Sequence, residues 1–193
     1  LNNAFAGAIN WYEDYAFLNG TGSGQPLGIL NSPCVKEIAA RETALSFELA
    51  DAAAMISSLI PSSHGASSTV WIMNIGVLDA LVQFADSSNV IWIPNARQAL
   101  PMTLFGIPIV FTEKTPTMGT AGDIILGDMS YYWIGDRQDS EISASIHANF
   151  TKNQTVWRFS HRVDGQPALN DVITLADGAQ TVAPFVTLVT KLS

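Results

Sequence analysis

Residues 19–30 read Asn-Gly-Thr-Gly-Ser-Gly-Gln-Pro-Leu-Gly-Ile-Leu, and this stretch decides how the chain on either side of it folds. Four glycines within nine positions do not continue a helix, because glycine loses more backbone entropy on folding than any other residue. The stretch therefore ends a helix, crosses a turn and re-enters the fold at Pro26, followed by the apolar Leu27 and Ile29. It predicts a sharp junction between a helix and the body of the protein.

Amphipathic patterns predict three helices. Before the junction, apolar residues recur at three- and four-residue steps and mark one face of a first helix: Leu1, Phe5, Ile9, Tyr12 and Tyr15. We expect Ser46 to cap a second helix, with Glu48 in its first turn, and Pro61 to stop it. The predicted buried stripe of this helix is Leu49, Ala53, Ile56 and Ile60. We expect Asn74 to cap a third helix, with these residues facing inward: Leu78, Leu81, Val82 and Ala85.

Strand patterns rich in β-branched and aromatic residues fill much of the remaining chain. Predicted strands cover residues 69–73, 89–93, 103–105, 107–112, 123–126, 131–134, 141–146, 155–163, 172–175 and 182–189. We expect breaks at Gly106, at Gly127-Asp128 and at the turn Asp164-Gly165. Helices combined with antiparallel or mixed sheets make the predicted class α+β.

The composition indicates a surface that is poor in charge. Charged residues make up 13% of the 193 residues, where about a quarter is typical. A free monomer of this kind would be poorly soluble, so we expect much of its surface to be buried against other subunits, with a tightly packed monomer as the alternative. The net charge of −8 does not favour binding of nucleic acid through a basic face.

The sequence does not support a disulfide-stabilised, membrane-spanning or secreted protein. With Cys34 as the only cysteine, one chain forms no internal disulfide. No apolar run approaches the roughly 18 residues that cross a bilayer. The first residues contain Glu13 and Asp14 and have no basic start, so we expect no secretion signal. We interpret Leu1, in place of Met, as the start of a processed product or a fragment.

No residue pattern predicts catalysis. A nucleophilic hydrolase needs Ser or Cys beside a His base. His64 falls in a Ser/Gly loop, His147 follows the predicted strand 141–146, and His161 lies on the predicted strand 155–163. Ser23 lies between two glycines, but Thr21 and Gln25 occupy the positions where a nucleophile elbow carries glycines. No phosphate-binding glycine motif is complete either.

Metal binding is also not predicted. Four acidic residues lie close in sequence, and we interpret them as turn residues at strand ends: Asp123, Asp128, Asp136 and Asp139. The residues therefore predict no catalytic, cofactor-binding or metal-binding site and a protein that is not an enzyme.

Four separated motifs occur in the order found in one protein family. After residues 19–30, the segment LFGIPIV (residues 104–110) resembles the GxPV strand pair of that family. GDMSYYWIGDR (residues 127–137) resembles its GDfsxYxIxDR segment, and RVDG (residues 162–165) resembles its RxDG turn. The chain thus resembles the later part of the major capsid proteins of tailed bacteriophages, the Hong Kong 97-type capsid family. The N-terminal arm, the extended loop and the start of the spine helix of that family have no counterpart here.

The resemblance implies an α+β fold of the Hong Kong 97 type with two lobes. The end of the spine helix and the glycine-rich stretch (residues 1–34) would join the β segment of residues 133–167 in a peripheral lobe. Residues 35–132 would form an axial lobe, a mixed sheet flanked by helices, to which strands in residues 168–193 return.

The resemblance also implies a structural role. The chain would be a major capsid subunit of a tailed phage or prophage that self-assembles into hexamers and pentamers of an icosahedral shell around double-stranded DNA. Its expected partners are copies of itself, with portal and scaffold or protease proteins, and no membrane. It would reside in the virion after assembly in the host bacterial cytoplasm, and it would enclose DNA without sequence-specific binding.

Some capsid proteins of this family cross-link through a Lys–Asn isopeptide bond, for which a carboxylate must take the lysine proton. Residues 150–153 resemble the segment that carries the acceptor, which makes Asn153 the candidate acceptor. The catalytic Glu of the family would lie seven residues on, where this chain has Ser160, and the donor lysine would lie on the extended loop. We therefore predict that Asn153 only begins a strand and that no cross-link forms.

Two alternatives stay open at this point. An encapsulin-like bacterial compartment with the same fold would hold enzyme cargo and no DNA. An enzyme with an unrecognised site would show a deep pocket that contains titrating His or Asp side chains.

Overall fold

The computed structural model describes residues 2–38, 47–83 and 102–189. The first helix, α1 (Asn2–Asn19), ends where the glycine-rich stretch begins, as predicted. The other elements, in chain order, are β1 (Val35–Ile38), α2 (Leu49–Ser58), β2 (Thr69–Asn74), α3 (Leu78–Gln83), β3 (Thr103–Leu104), β4 (Ile107–Thr112), β5 (Ile124–Asp128), β6 (Tyr132–Asn149), β7 (Gln154–Pro167), β8 (Ile173–Thr174), β9 (Thr181–Val182) and β10 (Phe185–Leu188).

Six strands form one mixed sheet in the order β1-β10-β5-β2-β4-β3. β1 runs parallel to β10, and β2 runs parallel to β4. β5 is antiparallel to both of its neighbours, β10 and β2, and β3 is antiparallel to β4. The α+β class with a mixed sheet is therefore confirmed.

The main core lies where α2 and α3 pack against this sheet. β2 alternates between buried and half-buried residues, so that Trp71 and Met73 point into the core. Met55 of α2 and Leu81 of α3 meet them there. Full burial of the Trp71 side chain contributes on the order of 3 kcal/mol to stability.

A second, smaller core ties the end of α1 to the same sheet. Leu18, Ile29 and Phe185 are buried together in it. Cys34 is part of this cluster, and burial raises the pKa of its thiol. The helix end and the glycine-rich stretch are thereby fixed to the body of the protein.

β6 and β7 form a long two-stranded antiparallel ribbon, which we call the ribbon. Tyr132 pairs with Pro167 at its base, and Asn149 pairs with Gln154 near its tip. Each register shift along the ladder inserts extra residues into β6, so β7 alternates regularly from face to face. β8 and β9 form a separate short hairpin.

The predicted start and face of the second helix are wrong. α2 begins at Leu49 with Glu48 as its N-cap, because the carboxylate of Asp51 accepts the Glu48 N–H at 2.9 Å. The helix packs through other residues than predicted, namely Asp51, Ala52, Met55 and Ser58. Leu49 and Ala53 are exposed and Ile56 is half-buried, while Ile60 is buried as predicted.

The predicted strand break at Asp164-Gly165 is wrong, and the one predicted at Gly127-Asp128 lies slightly later, at residues 129–131 between β5 and β6. Gly127 lies inside β5, where a Cβ would stand 2.7 Å from the ring of Phe185. Gly165 lies inside β7, where a Cβ would stand 2.7 Å from the Tyr132 hydroxyl. These glycines make room for aromatic side chains and do not end strands. Separately, the segments predicted at 131–134 and 141–146 belong to the single strand β6.

Two further predictions are confirmed, and three lie outside the described residues. The break at Gly106 is confirmed, since Gly106 has φ +79° in the turn between β3 and β4. The cap at Asn74 is confirmed, because its side chain accepts the Gly76 N–H at 3.0 Å in a 3₁₀ turn that leads into α3. Ser46, Ala85 and the strand predicted at 89–93 lie outside the described residues.

Candidate assembly surface

Residues 19–30, which we call the glycine loop, cross over themselves in direct backbone contact. A Cβ on Gly20 would lie 2.1 Å from the carbonyl oxygen of Pro26, and a Cβ on Gly28 would lie 2.4 Å from the nitrogen of Gly20. The tip of the loop, residues 22–25, is exposed. Glycine is required at the crossing because any side chain would separate the two segments.

The glycine loop is fixed to the base of the ribbon by two hydrogen bonds. The Leu27 N–H donates to the carbonyl oxygen of Gly165 at 2.8 Å, and the Tyr132 hydroxyl donates to the carbonyl oxygen of Leu27 at 2.9 Å. Burial, with a smaller contribution from the Asp164 carboxylate, raises the pKa of Tyr132 to about 12. The phenol therefore stays protonated and keeps this bond at neutral pH.

A groove of about 350 Å³ opens between the tip of the glycine loop and the base of the ribbon. Gly22, Gly24 and Gly135 line it without side chains, while Arg137 and Arg162 supply its positive charge. Three motifs that are far apart in the sequence, at 19–30, 127–137 and 162–165, therefore meet at one place.

The two arginines occupy neighbouring positions on adjacent strands. Arg162 pairs with Gln138, and Arg137 is the extra residue of the first register shift in β6. Both side chains are exposed. Within the described ranges, neither guanidinium has a carboxylate within 4.0 Å or a hydrogen-bond partner. The groove thus holds two cations whose charge is not balanced by an ion pair.

The outer half of the ribbon presents apolar side chains on one face. Ile142 pairs with Phe159 and Ala144 pairs with Trp157, which places these side chains on a common face. Ile142 and Trp157 are 43% and 53% exposed. We call Ile142, Trp157 and Phe159 the apolar strip. Phe159 is half-buried and its ring centroid lies 6.4 Å from that of His161, so Ile142 and Trp157 form the exposed part of the strip.

The inner half of the same face is covered by α1. His161, which follows Phe159 in the alternation of β7, places its Nε2 3.1 Å from Oε1 of Glu13. On the other side of α1, the Trp11 Nε1–H donates to Oε1 of Glu113 at 2.6 Å. α1 therefore contacts this face at His161, next to Phe159, while Ile142 and Trp157 remain exposed.

Part of the predicted apolar face of α1 remains exposed in the described part of the chain. Tyr12 and Tyr15 are 69% and 43% exposed, although both belong to the periodic pattern. Tyr15 stacks on Trp11 with an interplanar angle of 7°. The exposed aromatic face of α1 and the apolar strip are both surfaces that a second molecule can cover.

Asn153, the candidate cross-link acceptor, lies in a turn at the tip of the ribbon and does not begin a strand. Its φ of +52° is left-handed, a conformation that asparagine adopts more readily than most residues, and β7 begins at Gln154. Ser160 lies in β7 directly opposite Glu141. A carboxylate is therefore present across the ladder from the position at which the resemblance places the catalytic Glu, about 20 Å along the strand from the tip.

The residues considered for catalysis do not come together in a site. His64 lies in an exposed turn after α2, His147 is exposed near the ribbon tip, and His161 contacts Glu13. Ser23 lies at the exposed tip of the glycine loop.

Two of the four acidic residues considered as cation ligands have structural roles at the ends of β5. Asp123 accepts the Gly119 N–H at 2.7 Å, and Asp128 accepts hydrogen bonds from Ser63 and Ser130. Within the described ranges, no three potential ligands lie close enough to hold a metal ion. No helix of that part of the chain is long and apolar enough to cross a bilayer.

Sequence reasoning missed the two groove arginines. Arg137 and Arg162 each stand inside a quoted motif, but the sequence gives no reason to bring them together. A hairpin extended regularly from the pair Asn149–Gln154 would place Arg137 opposite Gln166. The extra residues in β6 shift the ladder and bring Arg137 next to Arg162 instead.

The fold is that of capsid proteins. The capsid of an empty GTA particle superimposes with a TM-score of 0.72 at 18% identity, covering 99% of this chain and 65% of that chain. The capsid of a native GTA particle gives a TM-score of 0.68 at 20% identity, covering 99% of this chain and 64% of that chain. These matches confirm the expected Hong Kong 97-type capsid fold.

The chain belongs to the phage capsid family, which matches residues 1–178. It spans about two thirds of the length of the two GTA capsid chains, 65% and 64%. A search among curated proteins finds no match.

Proposed function

We propose that this chain is the shell-forming part of a major capsid subunit of a tailed phage or prophage. Copies associate into hexamers and pentamers of an icosahedral shell that encloses double-stranded DNA. The subunit acts through burial of its surface between copies and catalyses no reaction. Its place is the virion, after assembly in the host bacterial cytoplasm with portal and scaffold or protease proteins.

The observation that carries this proposal is the uncovered ribbon. Its strands are 18 and 14 residues long, and a two-stranded hairpin alone is at best marginally stable in water. Trp157 is 53% exposed on the face of the ribbon that α1 contacts at His161. A second copy that packs on the apolar strip both stabilises the ribbon and buries this surface.

The charge of the chain supports the same role. Only 13% of the residues are charged, and the net charge is −8. Low charge suits a subunit whose surface is buried in a lattice. An acidic chain suits a wall that encloses DNA and does not bind it tightly.

We also propose the two-lobe division of this fold for the chain. The six-stranded sheet falls within residues 35–132 and 168–193, and the ribbon falls almost entirely within 133–167. The glycine loop, within residues 1–34, is bonded to the ribbon through Leu27 and Gly165. These positions support an axial lobe built on the sheet and a peripheral lobe built on α1 and the ribbon.

Electron microscopy of the full-length protein, expressed with its neighbouring genes, tests the proposal. We expect closed shells with five-fold vertices and nuclease-protected DNA inside. Closed shells that contain enzyme cargo and no DNA would replace the phage role by the encapsulin-like compartment. Stable dispersed monomers, with the N-terminal part present, would contradict a lattice role.

A further inference from the structure

We propose that the groove between the glycine loop and the ribbon is a subunit contact, where Arg137 and Arg162 together bind a carboxylate side chain of a second copy of this chain. This inference rests on the proposed function, because it assumes that copies of the chain associate. It adds a specific electrostatic contact to the apolar packing described above.

The groove is built by segments that the chain brings together from three distant places. Gly22 and Gly24 of the loop tip face Gly135 of β6 across about 350 Å³ of open space. Because these three residues have no side chains, the two guanidinium groups at the edge are accessible to a group that enters from outside. The register shift in β6 places Arg137 beside Arg162, and bulges often re-aim a side chain in this way.

The net charge of the groove is positive and favours binding of an anion from outside the subunit. Among the described residues that line it, Asp164 is the one acidic residue, and its Oδ1 accepts the Gly165 N–H at 2.8 Å. Two guanidinium groups against one carboxylate leave the groove positive. Arginine binds carboxylates through two parallel hydrogen bonds, so two adjacent arginines favour a carboxylate ligand.

The charge distribution of the chain indicates where that carboxylate comes from. The ribbon contains four basic and four acidic residues, so the whole net charge of −8 lies outside it. When copies pack side by side, contact between the positive groove of one ribbon base and the acidic body of the next copy is electrostatically favourable. Complementary patches of this kind fix the register of an interface.

Chemical protection of the arginines in assembled particles tests the contact directly. A dicarbonyl reagent that modifies arginine is applied to assembled shells and to dissociated subunits of the full-length protein, and the modified residues are identified by mass spectrometry. We expect Arg137 and Arg162 to be protected in shells and reactive in subunits. Arg158 is the matched control, because it lies on β7 opposite Ser143, is exposed and does not line the groove.

Charge reversal provides the second measurement. We expect the double variant Arg137→Glu, Arg162→Glu to fold normally and to need a subunit concentration higher by about tenfold or more for half-assembly. Arg158→Glu should assemble like the wild type. Equal reactivity of Arg137 and Arg162 in shells and subunits, or normal assembly of the double variant, would overturn the inference while the proposed function stands.

Two further outcomes separate the remaining explanations. Protection that appears only in DNA-filled shells would assign the groove to nucleic acid and would also overturn the inference. If the wild-type protein forms no shells or rings, the proposed function fails, and this inference fails with it.

Discussion

The amide nitrogen of Gly28 donates a 2.9 Å hydrogen bond to the carbonyl oxygen of Gly20, which holds the two ends of the glycine loop in direct contact. A Cβ on Gly28 would stand 2.4 Å from the nitrogen of Gly20 and 2.7 Å from that of Asn19. Those neighbours are backbone atoms, so they move only if the loop opens. The crossing therefore determines how the loop sits against the ribbon through Leu27.

Gly28→Ala should lower the free energy of unfolding by about 3 kcal/mol, because the added methyl group forces two backbone segments apart. Urea unfolding of the dissociated subunit measures this. Gly7→Ala is the control, since Gly7 lies within α1 and a Cβ there meets nothing within 4 Å. Gly7→Ala should raise stability by up to about 1 kcal/mol. Similar losses in both variants would show that the crossing is not the cause.

The junction after α1 could be predicted from sequence because its signal is local. Glycine and proline change backbone preference at their own positions, and no distant contact reverses that at residues 19–30. The same rule failed at Gly127 and Gly165. There the reason for glycine is an aromatic side chain from elsewhere, Phe185 in one case and Tyr132 in the other. A sequence shows the glycine but not the ring that requires it.

The face of α2 and the groove were missed for related reasons. The helix reads LADAAAMISS, so small or apolar residues occur all around it and its pattern does not select one face. The groove depends on register shifts in β6, and no local sequence pattern predicts these shifts. Both features are set by tertiary contacts, which local periodicity does not encode.

Asp128 should make the subunit sensitive to acid. It is 3% exposed, and the Ser63 hydroxyl donates to its Oδ2 at 2.5 Å while Ser130 donates to its Oδ1. Burial raises the pKa of Asp128, but the hydrogen bonds from Ser63 and Ser130 outweigh it, so the net pKa lies below the usual value. A lowered folded-state pKa stabilises the protein above the unfolded pKa of about 4, and this stabilisation is lost as pH falls through the folded pKa.

Asp128→Asn should therefore cost about 2 kcal/mol at pH 7 and flatten the fall in stability below pH 4. Thermal unfolding between pH 7 and pH 2 measures both effects. Asp171→Asn is the control, because Asp171 is exposed, and it should follow the wild-type curve. An Asp128→Asn curve parallel to that of the wild type would mean that other carboxyl groups cause the acid sensitivity.

Trp157→Ser should affect assembly far more than folding. Since Trp157 is 53% exposed in the subunit, we expect unfolding to change by at most about 1 kcal/mol. An aromatic residue at the centre of an interface has a larger effect, so the concentration for half-assembly should rise by about tenfold or more. Light scattering of the full-length protein measures assembly.

Val156→Ser is the matched control for this variant. Val156 adjoins Trp157 in β7 but lies on the opposite face, where it pairs with Ser145. It should change assembly little if the apolar strip is the interface. Equal defects in the two variants would indicate a general weakening of the ribbon and would argue against the strip.

Asn153 should form no isopeptide bond, so assembled full-length protein should run as a single band on a denaturing gel. The reason is that Ser160 stands where the resemblance places the catalytic Glu, and a serine hydroxyl does not take the proton of the attacking lysine. Asn153→Asp is the control, and its gel should be indistinguishable from that of the wild type.

Glu141 is the residue that could contradict this prediction. It lies directly opposite Ser160 and therefore places a carboxylate on β6, across the ladder from the position on β7 that lacks one. A covalent ladder that disappears in both Asn153→Asp and Glu141→Gln would contradict the prediction and would show that a carboxylate on the neighbouring strand replaces the one that β7 lacks.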